Sequence, residues 1–156
     1  MNTTKLEFSF DKPVPVGENR LQNGKVILTY NESKTAYLAT SGLAGYQSLL
    51  AARTRGRGRI PSCSQAGISC YYVSTTPIYM PNVRGVQGNF YPITPFMVQV
   101  DGRERGDFGM HFDPVPGTPG SAGCLVIRLT EHWIKIQAAL KIIKDKGVSS
   151  IPLYVS

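Results

Sequence analysis

Lys25-Val26-Ile27-Leu28-Thr29-Tyr30, then Asn31-Glu32-Ser33-Lys34, then Thr35-Ala36-Tyr37-Leu38-Ala39-Thr40, is the stretch that decides the fold. Two β-prone runs flank a short polar connection, the pattern of a hairpin. Upstream, Leu6, Phe8 and Phe10 alternate with polar residues and project to one side if extended. Downstream, Phe96–Val100 and Phe108–Phe112 read as strands, with Asp101-Gly102 as the turn after the first. Cys124–Leu129 is an apolar run of the kind that fills a buried strand, and Ser149–Val155 reads as a last strand.

Between these strands, Tyr46–Ala52 suits a short helix. Ile60 to Pro95 is rich in Gly, Pro, Ser and Tyr and reads as loops, with short extended pieces at Tyr71–Val73 and Ile78–Met80. A longer helix is expected over Thr130–Lys146, where Trp133, Ile136, Leu140 and Ile143 recur on one face. Thr130 is its expected N-cap, Glu131 suits its start, Lys141, Lys144 and Lys146 suit its end, and Gly147 stops it. The expected architecture is mainly β, an antiparallel sandwich or barrel with one C-terminal amphipathic helix. No repeat or linker divides residues 1–156, so one domain is expected.

The chain has 156 residues, 42% hydrophobic and 17% charged, a globular composition. Its formal charge of +7 attracts anionic polymers, among them nucleic acid, acidic lipid, teichoic acid and peptidoglycan. Part of it lies in Arg53, Arg55, Arg57 and Arg59, which alternate with Thr54, Gly56 and Gly58 as a basic loop. No apolar stretch near Met1 has signal-peptide length and no later segment is long enough to span a bilayer. A cytoplasmic, phage-associated or non-Sec-exported protein is therefore expected. The odd count of three cysteines excludes a complete disulfide framework. Cys63 and Cys70 lack the spacing and histidines of a zinc site and are expected to be buried thiols, so neither metal nor cofactor is expected.

Chemistry concentrates in Phe108-Gly109-Met110-His111-Phe112-Asp113 and, after a Pro/Gly turn, Gly120-Ser121-Ala122-Gly123-Cys124-Leu125. A histidine ends one apolar strand and a cysteine begins the next, and two antiparallel neighbours joined in this way can bring a thiol within reach of an imidazole base. A free thiol, with a pKa near ~8.5, is mostly protonated at neutral pH, and a base converts it to the nucleophilic thiolate. Gly123 lets the backbone approach a substrate carbonyl, and N–H groups near Gly123 and Cys124 can stabilise an oxyanion. Asp113 or the Phe112 carbonyl would orient the imidazole. His132, in the first helical turn, reads as a surface residue.

The stretch resembles the signature of the L,D-transpeptidase (YkuD-like) catalytic domain, in which a strand-ending histidine precedes Ser/Thr-His-Gly-Cys-x-Arg. Ser121, Gly123 and Cys124 match that motif, and His111 matches the upstream histidine. His111, Asp113 and Pro116 to Cys124 are more similar still to a subset with His-x-Asp followed by Pro-Gly-Thr-Ala-Gly-Cys. Arg59-Ile60-Pro61 and Tyr37 to Gly42 resemble further segments, so the similarity extends over roughly residues 25–129. The sequence departs at Ala122, where the motif has histidine, and at Val126, where it has arginine, with Arg128 two positions late.

The resemblance implies a cysteine enzyme that cleaves or transfers peptidoglycan stem peptides as transpeptidase, carboxypeptidase or endopeptidase. Cys124, His111, Asp113 and Gly123 would be catalytic, and Ser121, Arg128, Arg59 and Tyr79 would contact substrate. The alternative is an inactive β-domain within a larger assembly such as a phage particle. In a third reading Arg53 to Arg59 hold phosphates while Tyr71, Tyr72 or Tyr79 stack on bases. Nucleic acid is the least favoured partner.

Overall fold

The computed structural model describes residues 3–113 and 120–156, with the side chains of residues 120–122 also outside the description. Eleven strands are formed among the described residues: β1 Lys5–Phe10, β2 Gly24–Tyr30, β3 Ser33–Leu43, β4 Tyr71–Ser74, β5 Ile78–Met80, β6 Gly88–Thr94, β7 Met97–Val100, β8 Arg103–Gly106, β9 Gly109–Phe112, β10 Gly120–Ile127 and β11 Ser150–Val155. Two helices accompany them, α1 Cys63–Ala66 and α2 Thr130–Asp145. The main sheet runs β4-β11-β1-β2-β3-β10-β9-β6-β5, and β4 also pairs with β6. That pairing closes the sheet into a barrel and leaves β5 as a flap outside the ring. β7 and β8 form a separate hairpin. The expected β-rich class holds, and it takes the closed form.

Register explains the core. Leu6 lies beside Leu28 on one side and Leu153 on the other, and Phe8 beside Val26 and Val155. Tyr37 pairs with Val26, Ile127 with Ala39 and Leu125 with Met110. Since side chains alternate between faces, these residues fill the barrel interior, and all are buried. Most neighbours are antiparallel, but β1–β11 and β9–β10 are parallel.

The β2–β3 turn is tighter than the expected four-residue connection. Tyr30 pairs with Ser33, leaving Asn31 and Glu32 as a two-residue turn with φ of 49° and 67°. Consecutive positive φ values match a type I′ hairpin, which follows the right-handed strand twist but strains a non-glycine residue at its second position. Glu32→Gly should therefore stabilise the protein by about 0.5–1 kcal/mol. A raised urea midpoint with unchanged slope would show this, and a lowered midpoint would contradict the turn assignment.

α2 buries Trp133, Ile136, Leu140 and Ile143 as expected. Its N-cap is Leu129, with no side-chain cap, so Thr130 is the first helical residue and not the cap. His132 is not a plain surface residue. Its Nδ1 accepts the Leu38 N–H at 3.0 Å and its ring meets Tyr37 edge-on, tying the helix start to β3. No helix among the described residues is long and apolar enough to cross a membrane.

The expected helix at Tyr46–Ala52 is reduced to a 3-10 turn at Leu50–Arg53. The Gln47 side chain is committed elsewhere, accepting from Gln22 N–H and donating to Gln22 and Ser41 carbonyls and to Thr40 Oγ1. Cys63 is buried and accepts the Val155 N–H at 3.3 Å. Cys70, expected to be buried, is partly exposed because it lies in the connection before β4.

Candidate active site

Cys124 lies on β10, between β3 and β9. On the β9 side the strands are parallel and not the antiparallel neighbours expected, because β10 inserts between β9 and β3 and runs antiparallel to β3. Leu125 lies beside Met110, Val126 beside His111 and Ile127 beside Phe112. Leu125 and Ile127 face the core, so alternation puts Cys124, Val126 and His111 on the opposite face. Cys124 and His111 therefore sit on adjacent hydrogen-bonded strands, two residues out of register.

Each group has its own surroundings. The Cys124 sulfur lies 4.0 Å from the Asp107 carbonyl and lines a cleft of about 200 Å3 with Arg55, Gly56, Met97 and residues 104–107. Cys124 keeps some exposed surface, yet protein encloses it on most sides, and that burial pushes its thiol up to about 11. A hydrogen bond with the Gly109 backbone opposes the shift and the Asp107 charge adds to it. The resting sulfur is therefore a neutral thiol at physiological pH.

His111 is buried, and its ring stacks on Phe90 with centroids 6.0 Å apart. Burial lowers its pKa, against smaller upward pulls from the Phe112 carbonyl and the Asp113 charge, so the imidazole is neutral near pH 7. Its Nδ1 is 3.4 Å from the Phe112 carbonyl. Of the two orienting groups considered from the sequence, the carbonyl makes the contact and Asp113 acts through its charge. A proton on Nδ1 leaves Nε2 as the basic nitrogen.

The peptide preceding Cys124 is fixed from several sides. Gly123 has φ of 121°. A Cβ there would lie 2.7 Å from Arg105 Nη2 and 2.9 Å from Phe108 Cε1. Its carbonyl accepts from Ser41 Oγ at 3.1 Å, and the same Oγ accepts from Ile60 N–H at 2.8 Å. Gly42, next to Ser41, has φ of 85° and packs so closely on the Arg59 backbone that a Cβ would lie 2.7 Å from its nitrogen. The Ser41-Gly42 step thus joins β3, the arginine loop and the cysteine strand.

Arg105 is the largest residue whose role the sequence concealed. It is 2% exposed and donates to the carbonyls of Ala52, Gly58 (3.0 Å) and Arg59 (3.2 Å), with its guanidinium over the Phe108 ring. Arg103-Glu104-Arg105-Gly106 carries three charged residues in a row, and no local signal marks the third as interior. Burial lowers its pKa.

The substrate-contact candidates are dispersed. Arg59 is buried and donates to the Ile60 and Ser156 carbonyls with its guanidinium over Phe10, away from the cysteine cleft. Burial lowers its pKa to about 10, which leaves it charged at neutral pH. Arg57 is spent on Tyr46, so Arg55 is the member of the arginine loop that reaches the cleft. Tyr79 is exposed on β5, beside Asn89. Arg128 follows β10, its N–H bonded to the Leu38 carbonyl, and it does not line the cleft. The Ser121 side chain lies outside the described residues. The structure thus puts Cys124 and Gly123 on the strand next to the one that bears His111, with Asp113 following it. Of the candidates, however, Cys124 is the one that lines this cleft, and His111, Asp113, Arg59, Tyr79 and Arg128 do not. Comparison of the chain with models of protein families, with curated proteins and with solved structures finds no match.

Proposed function

We propose that the chain is a cysteine-dependent acyltransferase or peptidase acting on peptidoglycan stem peptides, of the L,D-transpeptidase type. The carrying observation is that Cys124 opens into a cleft from a strand paired in parallel with the one that bears His111. The fixed Gly123 peptide adds support, since it holds the thiol's backbone in one orientation. In this reading the Cys124 side chain turns from the Asp107 carbonyl toward the imidazole. The neutral His111 takes the thiol proton as sulfur bonds to the substrate carbonyl carbon. The tetrahedral intermediate then expels an amine, which receives that proton from the imidazolium, and a thioester remains. An amine acceptor completes transpeptidation and water completes hydrolysis.

A second reading, a non-catalytic β-domain in a larger assembly such as a phage particle, is favoured by one observation. The His111 ring stacks on Phe90 and does not line the cleft into which Cys124 opens.

Purified peptidoglycan digested with wild type and Cys124→Ala, followed by muropeptide chromatography, tests both. We expect new muropeptides with wild type only, a loss of about 10³-fold or more in the variant, and a covalent carbapenem adduct on Cys124. The active form pairs neutral imidazole with protonated thiol. Activity should therefore fall only on the acid side of the ordinary imidazole range, where the lowered His111 protonates, and stay level from pH 7 to about 10, below the thiol's titration. No adduct and unchanged muropeptides with folded protein would favour the second reading.

A further inference from the structure

A groove of about 370 Å3 lies between α2, β6 and the connection from β4 to β5, within the size range of small-molecule pockets, roughly 300–1,000 Å3. It belongs to a different part of the barrel from the cysteine cleft. Continuing the register, Asn89 runs beside the Phe112 end of β9, whereas Cys124 runs beside the Gly109 end.

Its floor is a fixed polar network. Asn89 Nδ2 donates to Gln137 Oε1 at 2.8 Å, and the Tyr91 hydroxyl reaches the same oxygen at 3.4 Å. The Tyr91 ring is buried and held edge-on against Trp133, and burial pushes its hydroxyl up to about 12, so it remains a donor at any ordinary pH. With Gln137 Oε1 taken, that side chain offers its NH2 group, while Asn89 Oδ1 and the Tyr91 and Thr75 oxygens offer acceptors. Pro77 supplies a flat apolar wall. Lys141 and Lys144 stand at the rim, Lys141 in an ion pair with Asp145 at 3.2 Å.

This set discriminates between ligand classes. A simple anion would meet the acceptors on the floor unfavourably, and an apolar ligand would strand the polar network. A polyhydroxylated ring donates and accepts at each hydroxyl, lays its C–H face on an apolar wall, and matches the floor. Lys141 is paired with Asp145, which also lines the groove, so Lys144 is the ammonium that adds selection for a carboxylate. We propose that this groove is a second binding site, for a sugar ring that carries a carboxylate. The inference does not depend on Cys124 chemistry and holds equally if the barrel is not an enzyme.

The test is titration of the 15N-labelled chain of residues 1–156 with methyl glucuronide, methyl glucoside and acetate, observing side-chain amide resonances. Methyl glucuronide should bind with a roughly millimolar Kd and shift the Asn89 and Gln137 side-chain amides. The neutral glucoside should bind about fivefold more weakly, and acetate should leave those amides unmoved. Gln137→Glu replaces that side chain's donors with an acceptor and should weaken glucuronide binding about tenfold or more. Lys144→Gln, at an exposed position, should remove the preference for glucuronide over glucoside. Unmoved Asn89 and Gln137 amides at tens of millimolar glucuronide would overturn the proposal, as would an equal response to acetate. Unaltered glucuronide affinity in folded Gln137→Glu would also overturn it.

Discussion

Gly123→Ala is expected to destabilise the protein by about 3 kcal/mol or more. A non-glycine residue at strongly positive φ costs about 1–3 kcal/mol, and forcing a methyl group into filled space costs a similar amount. Neither neighbour of the new Cβ can easily withdraw. Arg105 is held by backbone carbonyls on the far side, and the Phe108 ring is buried between that guanidinium and Tyr71. The peptide before Cys124 would have to move instead, breaking the Ser41 hydroxyl's bond to the Gly123 carbonyl. Denaturant unfolding would register the loss, and alkylation of Cys124 under native conditions should accelerate as the strand loosens. A variant with wild-type stability would show that the backbone at residue 123 is freer than its contacts imply.

Arg105→Ala should cost at least about 3 kcal/mol. Its guanidinium satisfies the carbonyls of Ala52, Gly58 and Arg59, and a buried carbonyl left without a donor costs about 1–3 kcal/mol. Water entering the vacated space would recover part of this, so the loss should fall below the simple sum. Arg105→Lys should rescue only partly, because one ammonium cannot reproduce the fork that spans these carbonyls. The effect should be concentrated in the loop from Ala52 to Arg59, where amide hydrogen exchange should rise before global unfolding. Uniform exchange throughout the barrel, with the loop still protected, would contradict this anchoring role.

The residues on which sequence reading succeeded share a property. Leu6, Phe8, Val26 and Leu28 alternate, and Trp133, Ile136, Leu140 and Ile143 recur at helical spacing, so burial of one face is written locally. Strand β6 escaped because Gly88, Asn89 and Pro92 look like loop residues. Pro92 is accommodated opposite Gly109, where the ladder does not use the N–H that proline lacks. Helix α1 was detectable, since Ser62 and Gln65 form a capping box whose pattern stands in the sequence.

For the candidate site, His111 and Cys124 could be named because each ends or begins an apolar run. Their parallel pairing could not, since it depends on β10 inserting between β3 and β9. Arg59 and Arg105 were unreadable for a related reason. The groups that permit burial of each guanidinium are carbonyls, and carbonyls carry no residue identity. Only the folded chain shows that Arg59 reaches Ser156 and Arg105 reaches Gly58.

The position of β11 in the ring has a consequence for biosynthesis. This strand follows α2 in the chain yet lies between β4 and β1, pairing with both. A nascent chain still lacking it carries two barrel strands with open edges and no means of completing the circle by the native route. Assembly of the barrel therefore waits for a late-emerging segment. Until then the exposed strand edges depend on the ribosome's surroundings for protection against pairing with other chains.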